Sequence, residues 1–197
     1  EQLAIMTPGL PRTWYGLGRA YEGAAGRAFE KLEEVAPESG YWFSLIAASR
    51  VAQHQYSSAF FFYRQALEKL PDLRGVHAAI SRIYRESGHD DWADQEQKKE
   101  IELGAPDCEK EKLVCAFLGK KFKELIHQTR GIATGEALYW RTQAANQLSI
   151  EAFSKLSELP PSFESHQLAA DIHRSQKRHW ESVKEWRAAL ELSPGNR

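Results

Sequence analysis

Apolar residues recur at three- and four-residue intervals along most of the chain, the spacing that puts them on one face of an α-helix. Trp14, Leu17, Tyr21, Ala25, Ala28, Phe29 and Leu32 form the first such stripe, and Pro37-Glu38-Ser39-Gly40 stops it. This predicts a long-helix unit over residues 12–36. Gly23 and Gly26 lie inside the stripe, each costing ~1 kcal/mol relative to Ala in a helix, so the unit either kinks or breaks there. No segment shows the two-residue alternation of a half-buried strand. The two glycines of Thr129 to Thr134 mark a loop.

Beyond the first stripe the pattern repeats. Ile46, His54, Ala59, Tyr63 and Pro71 are matched 34 positions later by Ile80, Gly88, Ala93, Gln97 and Ala105. A period of that length predicts stacked helix pairs, because one pair alone cannot bury its apolar face. A longer echo lies over it. Ala28-Phe29-Glu30-Lys31-Leu32 returns as Ala152-Phe153-Ser154-Lys155-Leu156, an offset of 124, and Ala66-Leu67-Glu68-Lys69-Leu70-Pro71 returns as Ala189-Leu190-Glu191-Leu192-Ser193-Pro194, an offset of 123.

Composition narrows the function. The 197 residues carry 26 basic and 27 acidic side chains, a net charge of −1, which leaves no basic excess for nucleic acid or an anionic membrane. No apolar run approaches the ~18–20 residues of a membrane helix, so no transmembrane segment is expected. The chain opens on Glu1-Gln2-Leu3 with no signal-type pattern, which reads as a segment whose true start has been removed. No Gly-x-Ser-x-Gly, phosphate loop or Cys-x-x-Cys occurs, and Gly16-x-Gly18 lies within a helical stripe with no strand before it. The histidine spacings, His166 to His173 and His173 to His179, do not match a zinc-binding helix, so no metal is expected. The histidines other than His77 read as solvated surface. Trp180, Trp186 and Arg187 could stack on bases, but the near-neutral chain argues against nucleic acid.

Cys108 and Cys115 leave two readings open. On one helix they would stand ~10.5 Å apart along the axis, too far to bridge. With Cys108 in a loop, the chain can fold back to join them; otherwise they are two idle thiols. A bridge would point to an extracytoplasmic compartment, and free thiols to the cytoplasm.

The residues from Phe43 to Pro71 resemble a tetratricopeptide repeat. Ala47, Ala59 and Ala66 match its small positions, Tyr56 and Tyr63 its aromatic ones, and Pro71 its closing proline. The segment from His77 to Ala105 is similar through Ile80, Ser81, Tyr84, Gly88 and Ala93, which implies that His77 faces its own helix pair, but it departs at Gln97 and Glu100, which predicts a less buried second helix. Cys115, Phe117, Gly119, Phe122 and Leu125 resemble the turn and second-helix start of a clipped copy whose first helix covers about 109–118. The stretch from His166 to Pro194 resembles a last repeat through Ala170, Trp186, Ala189 and Pro194, with Lys177 and Ser182 replacing the usual Gly and Ala.

The resemblance implies an all-α fold, a right-handed solenoid of antiparallel helix pairs forming one domain over residues 1–197. Its units are the long helix at 12–36, repeats at 40–72, 74–106 and (partial) 108–128, a second long helix at 136–160, and a repeat at 163–194. It implies a protein- or peptide-binding scaffold with no catalysis and no cofactor. A structural spacer or oligomerisation module is an alternative, as is an accessory domain of a larger enzyme. In the family the first helix of each pair lines the concave face. Here those positions are Tyr41, Ser44, Ala48 and Val51, then Gly75, Ala78, Arg82 and Arg85, and finally Glu164, Gln167, Asp171 and Arg174. Ser44 and Ala48 stand where chaperone-binding members carry the Lys and Asn of a carboxylate clamp, so that clamp is not expected. Arg82 and Arg85, one turn apart, either hold a carboxylate or phosphate through paired N–H donors or pair with acidic neighbours on an adjacent helix. The first alternative implies binding of an extended acidic segment in a groove centred on Tyr41, Arg82 and Arg85.

Overall fold

The three- and four-residue periodicity is realised as helix wherever it occurs. The computed structural model describes residues 6–195, so the opening three residues lie outside it. Among the described residues there are ten helices and no strand, an all-α fold. They are α1 (Pro11–Val35), α2 (Gly40–Ala52), α3 (Tyr56–Lys69), α4 (Val76–Glu86), α5 (Asp90–Glu102), α6 (Lys112–Leu118), α7 (Phe122–Gln128), α8 (Gly135–Ser157), α9 (Phe163–Ser175) and α10 (His179–Leu192). Helix α1 runs unbroken through Gly23 and Gly26. It starts on Pro11, where a missing N–H leaves no helical bond unmade. No helix among the described residues is long and apolar enough to cross a membrane.

Consecutive helices pack as pairs: α2 on α3, α4 on α5, α6 on α7, and α9 on α10, with α4 also against α3. Each pair turns through three residues whose middle member is left-handed: His54 (φ 57°), Gly88 (φ 75°), Lys120 (φ 56°) and Lys177 (φ 61°). In every case the left-handed residue donates its N–H back three residues, and the next residue donates back five, as with His54 to Val51 and Gln55 to Arg50. This Schellman closure satisfies carbonyls that the helix end would otherwise leave unpaired. In the clipped pair the left-handed residue is Lys120; Gly119, singled out in the sequence, has an ordinary φ of −75°.

The longer echo also has a structural counterpart. Helices α9 and α10 carry the bounds of α2 and α3 displaced by 123 residues, and each pair begins behind a serine N-cap, Ser39 or Ser162. Each serine hydroxyl accepts a backbone N–H, from Trp42 at 3.2 Å and from Ser165 at 3.1 Å.

Two compact units emerge from the contacts. One is Gly26–Ala144; the other joins the residues before Gly26 to those from Ala145 onward. In the first, Leu32, Ala47, Ala59, Ala66, Ala93 and Leu125 are wholly buried. In the second, Ala145, Leu156, Ala170 and Ala189 take that part. Alanine at helix crossings lets backbones approach closely, which a larger side chain would prevent.

Two helices differ from their expected bounds. The first helix of the clipped pair starts at Lys112 rather than near 109, because Asp107 caps the preceding turn, accepting N–H bonds from Glu109, Lys110 and Glu111. Helix α8 ends at Ser157 rather than 160, as Pro160 and Pro161 require. Helix α5 is shallow, burying only Ala93 and Glu96. Its departure at Glu100 has a physical reason: the carboxylate accepts the N–H groups of Gly75 (2.7 Å) and Ala78 (3.2 Å), which the start of α4 leaves free.

Candidate functional site

In the unit Gly26–Ala144, the first-helix face of α2 is not open along its whole length. Ser44 is buried, with its hydroxyl 3.4 Å from that of Tyr139 on α8. Tyr139 is itself 1% exposed and accepts a bond from Gln143 Nε2 at 3.2 Å. The Tyr41 and Tyr139 rings lie 5.2 Å apart. Gly135 opens α8 beside them; a Cβ there would stand 3.3 Å from Ala36 Cβ and 3.4 Å from the Tyr41 ring. The structure therefore seats α8 of the same chain on the Tyr41–Ser44 end of the expected groove.

These phenols are strongly perturbed. Burial, reinforced by the neighbouring Glu136 and Tyr139, pushes Tyr41 up to about 12. Burial also pushes Tyr63 up to about 12, with Tyr139 adding to the rise and the Arg82 charge opposing it. Burial raises Tyr139 against the opposing hydrogen bonds of Ser44 and Gln143. All three are neutral at physiological pH.

The other expected groove positions are more open. Ala48, Val51 and Ala78 are half-buried, and Arg82 and Arg85 are exposed on α4. The two arginines, expected to act together, differ. Arg85 pairs with Asp94 of α5 at 3.1 Å, an exposed bridge worth ~0–1 kcal/mol. Arg82 has no ion-pair partner among the described residues. Gln167, Asp171 and Arg174 belong to the other unit, on α9. There Asp171 is half-buried and receives Arg174 at 2.7 Å. Tyr15 of α1 lies within the influence of Asp171; burial raises it first, Arg19 opposes, and Asp171, Glu22 and Glu164 add to the rise. Tyr15 precedes Tyr139 by 124 residues, the offset already visible in the sequence.

Two histidines carry carboxylates across their helix pairs. His77 Nδ1 lies 2.6 Å from Glu96 on α5, the inward placement expected for it. His166 Nδ1 lies 2.7 Å from Glu185 on α10, so it is not the solvated residue that the sequence reading expected. His173 is half-buried as well. Both pairs span 19 residues, a repeated device that reading residue types one at a time did not reveal. Cys108 and Cys115 form a disulfide with Cα atoms 5.6 Å apart, Cys108 lying in the turn that precedes α6. Arg74 holds that turn, donating to the Gly104 carbonyl (2.7 Å) and to Glu111 (3.0 Å).

Sequence reasoning did not single out Tyr139, Gln143 or Glu96, because the long helices carry no repeat positions and Glu96 falls between them. The one available signal was the offset of 124. No model of a known protein family matches the chain, and no curated protein does either.

Proposed function

We propose that the chain is a protein- or peptide-binding module of helix pairs resembling tetratricopeptide repeats, with no catalysis of its own. Within the unit Gly26–Ala144, the open part of the first-helix face binds an extended acidic segment of a partner protein. The observation that carries this reading is Arg82, an exposed guanidinium with no ion-pair partner among the described residues, one helical turn beyond the half-buried Ala78 on α4. An arginine so placed offers paired N–H donors to a carboxylate without first breaking an internal bridge. Arg85, engaged by Asp94, contributes less. The repeated turns at His54, Gly88, Lys120 and Lys177 support the family resemblance. The disulfide supports an oxidising compartment as the place where the module works.

The test is anisotropy titration of a fluorescein-labelled Gly-Asp-Glu-Asp-Glu-Gly peptide. Arg82→Glu should weaken binding at least ~10-fold and Arg85→Glu only a few-fold, while the far-ultraviolet helical signal stays unchanged. Equal binding by wild type and Arg82→Glu would reject the groove.

A further inference from the structure

A second surface of the unit Gly26–Ala144 is decorated differently from the groove. At the turn between α4 and α5, aromatic rings follow one another from Phe60 to Tyr84 (5.4 Å between centroids), from Tyr84 to Trp92 (5.4 Å), and from Trp92 to His89 (4.5 Å, 27° between planes). Packing between helices accounts for the beginning of this row, where Phe60 and Tyr84 are half-buried, and not for its end: Trp92 is 52% exposed, and His89 is exposed too. Gly88, His89, Asp90, Asp91 and Trp92 line an open surface depression at that end. The Asp90 and Asp91 carboxylates in its wall have no ion-pair partner among the described residues.

Two acidic residues in the first turn of a helix suit the positive end of its dipole, which accounts for Asp90 and Asp91 taken alone. It does not account for an indole more than half exposed beside them with an imidazole stacked on it. An aromatic face next to free carboxylates complements a guanidinium, which stacks flat on a ring while donating paired N–H groups to a carboxylate. A lysine ammonium carries the same charge without the plane.

We propose that the Trp92–His89 ledge, with Asp90 and Asp91, is a docking site for an arginine side chain in a partner protein segment. The site lies on the turn edge of the helix pair, shares no residue with the Arg82 groove, and is selective for arginine over lysine. It gives the module a second contact, opposite in charge preference to the first.

The probe is a fluorescein-labelled Gly-Gly-Arg-Gly-Arg-Gly-Gly peptide titrated with the whole chain at low ionic strength. Matched peptides carry lysine or citrulline in place of arginine. Saturable binding is expected, several-fold weaker with lysine and lost with citrulline. Trp92→Ala should weaken it at least ~10-fold, and so should the double change Asp90→Asn with Asp91→Asn. The double change removes no apolar contact, so it decides the matter if Trp92→Ala lowers helicity. Arg82→Glu should leave arginine-peptide binding intact, which separates failure of this site from failure of the groove. Absence of saturable binding, equal affinity for the citrulline peptide, or indifference to the double change would each overturn the assignment.

Discussion

The helix pairs α2/α3 and α9/α10 share helix lengths, a serine N-cap and a left-handed three-residue turn, yet different chemistry pins them from within. In the first, Phe43 stacks near Phe62, with centroids 6.2 Å apart and planes at 24°. At the same positions, 123 residues on, His166 meets Glu185 at 2.7 Å. The pair α4/α5 repeats the polar version through His77 and Glu96. Shape is therefore set elsewhere, by alanines wholly buried at the crossings (Ala47 and Ala170, Ala66 and Ala189) and by the caps. The pinning position holds an aromatic couple in one pair and a hydrogen-bonded polar couple in the two others, each satisfying its own burial requirements.

If the two rounds of long helix and helix pair are energetically equivalent, their central leucines should cost alike. Leu32 is wholly buried and Leu156 is 1% exposed, 124 residues apart. Leu32→Ala and Leu156→Ala should each destabilise by ~2–5 kcal/mol in urea unfolding. A large cost at one and none at the other would break the equivalence.

The next contrast lies between two glycines of α1. A Cβ on Gly18 would overlap the Phe153 ring, whereas one on Gly26 meets nothing within 4 Å. Gly18→Ala should cost ~1–3 kcal/mol through overpacking, and Gly26→Ala should gain ~1 kcal/mol through helix propensity. Thermal midpoints moving in the same direction would show that Phe153 yields freely.

The clipped pair α6/α7 has a covalent support that α9/α10 lacks. Replacing Cys108 and Cys115 with serine should lower stability by up to about 2 kcal/mol, the gain from closing so short a loop. The non-reduced native protein should weigh two hydrogens less than the reduced form. Two alkylatable thiols in protein purified under oxidising conditions would remove both this effect and the argument for compartment.

The smallest effect is confined to acid. Burial alone would raise Glu96, but hydrogen bonds from Lys99 and His77 outweigh it and hold the carboxyl below its ordinary range. A depressed folded value means that the stabilisation is complete above the unfolded value of ~4.3 and is lost as pH falls through the folded one. Glu96→Gln should flatten that acid limb of the stability curve. Phe43→Leu, in the pair pinned by aromatics, should leave its slope as in wild type. An acid limb unchanged in Glu96→Gln would show that other carboxylates govern it.

Much of this fold could be read from residue order. Helix type followed from spacing, the pair length from the 34-residue match, and the second round from the echo at 123 and 124. The inward turn of His77 was an implication of the family resemblance. The others depend on neighbours within a few turns of helix, or on comparing the chain with itself. The candidate site was only half legible. The sequence placed Tyr41, Ser44, Arg82 and Arg85 on first-helix faces, but spacing along a helix says nothing about what lies across from it. That Tyr139 covers Ser44, that Asp94 engages Arg85 rather than Arg82, and that Glu185 reaches His166 are all contacts between separate helices. They depend on how far apart two backbones settle and which side chains then come within hydrogen-bonding reach. Local periodicity determined the elements of this protein; only tertiary packing decided which of its polar groups are satisfied within the fold and which stay exposed.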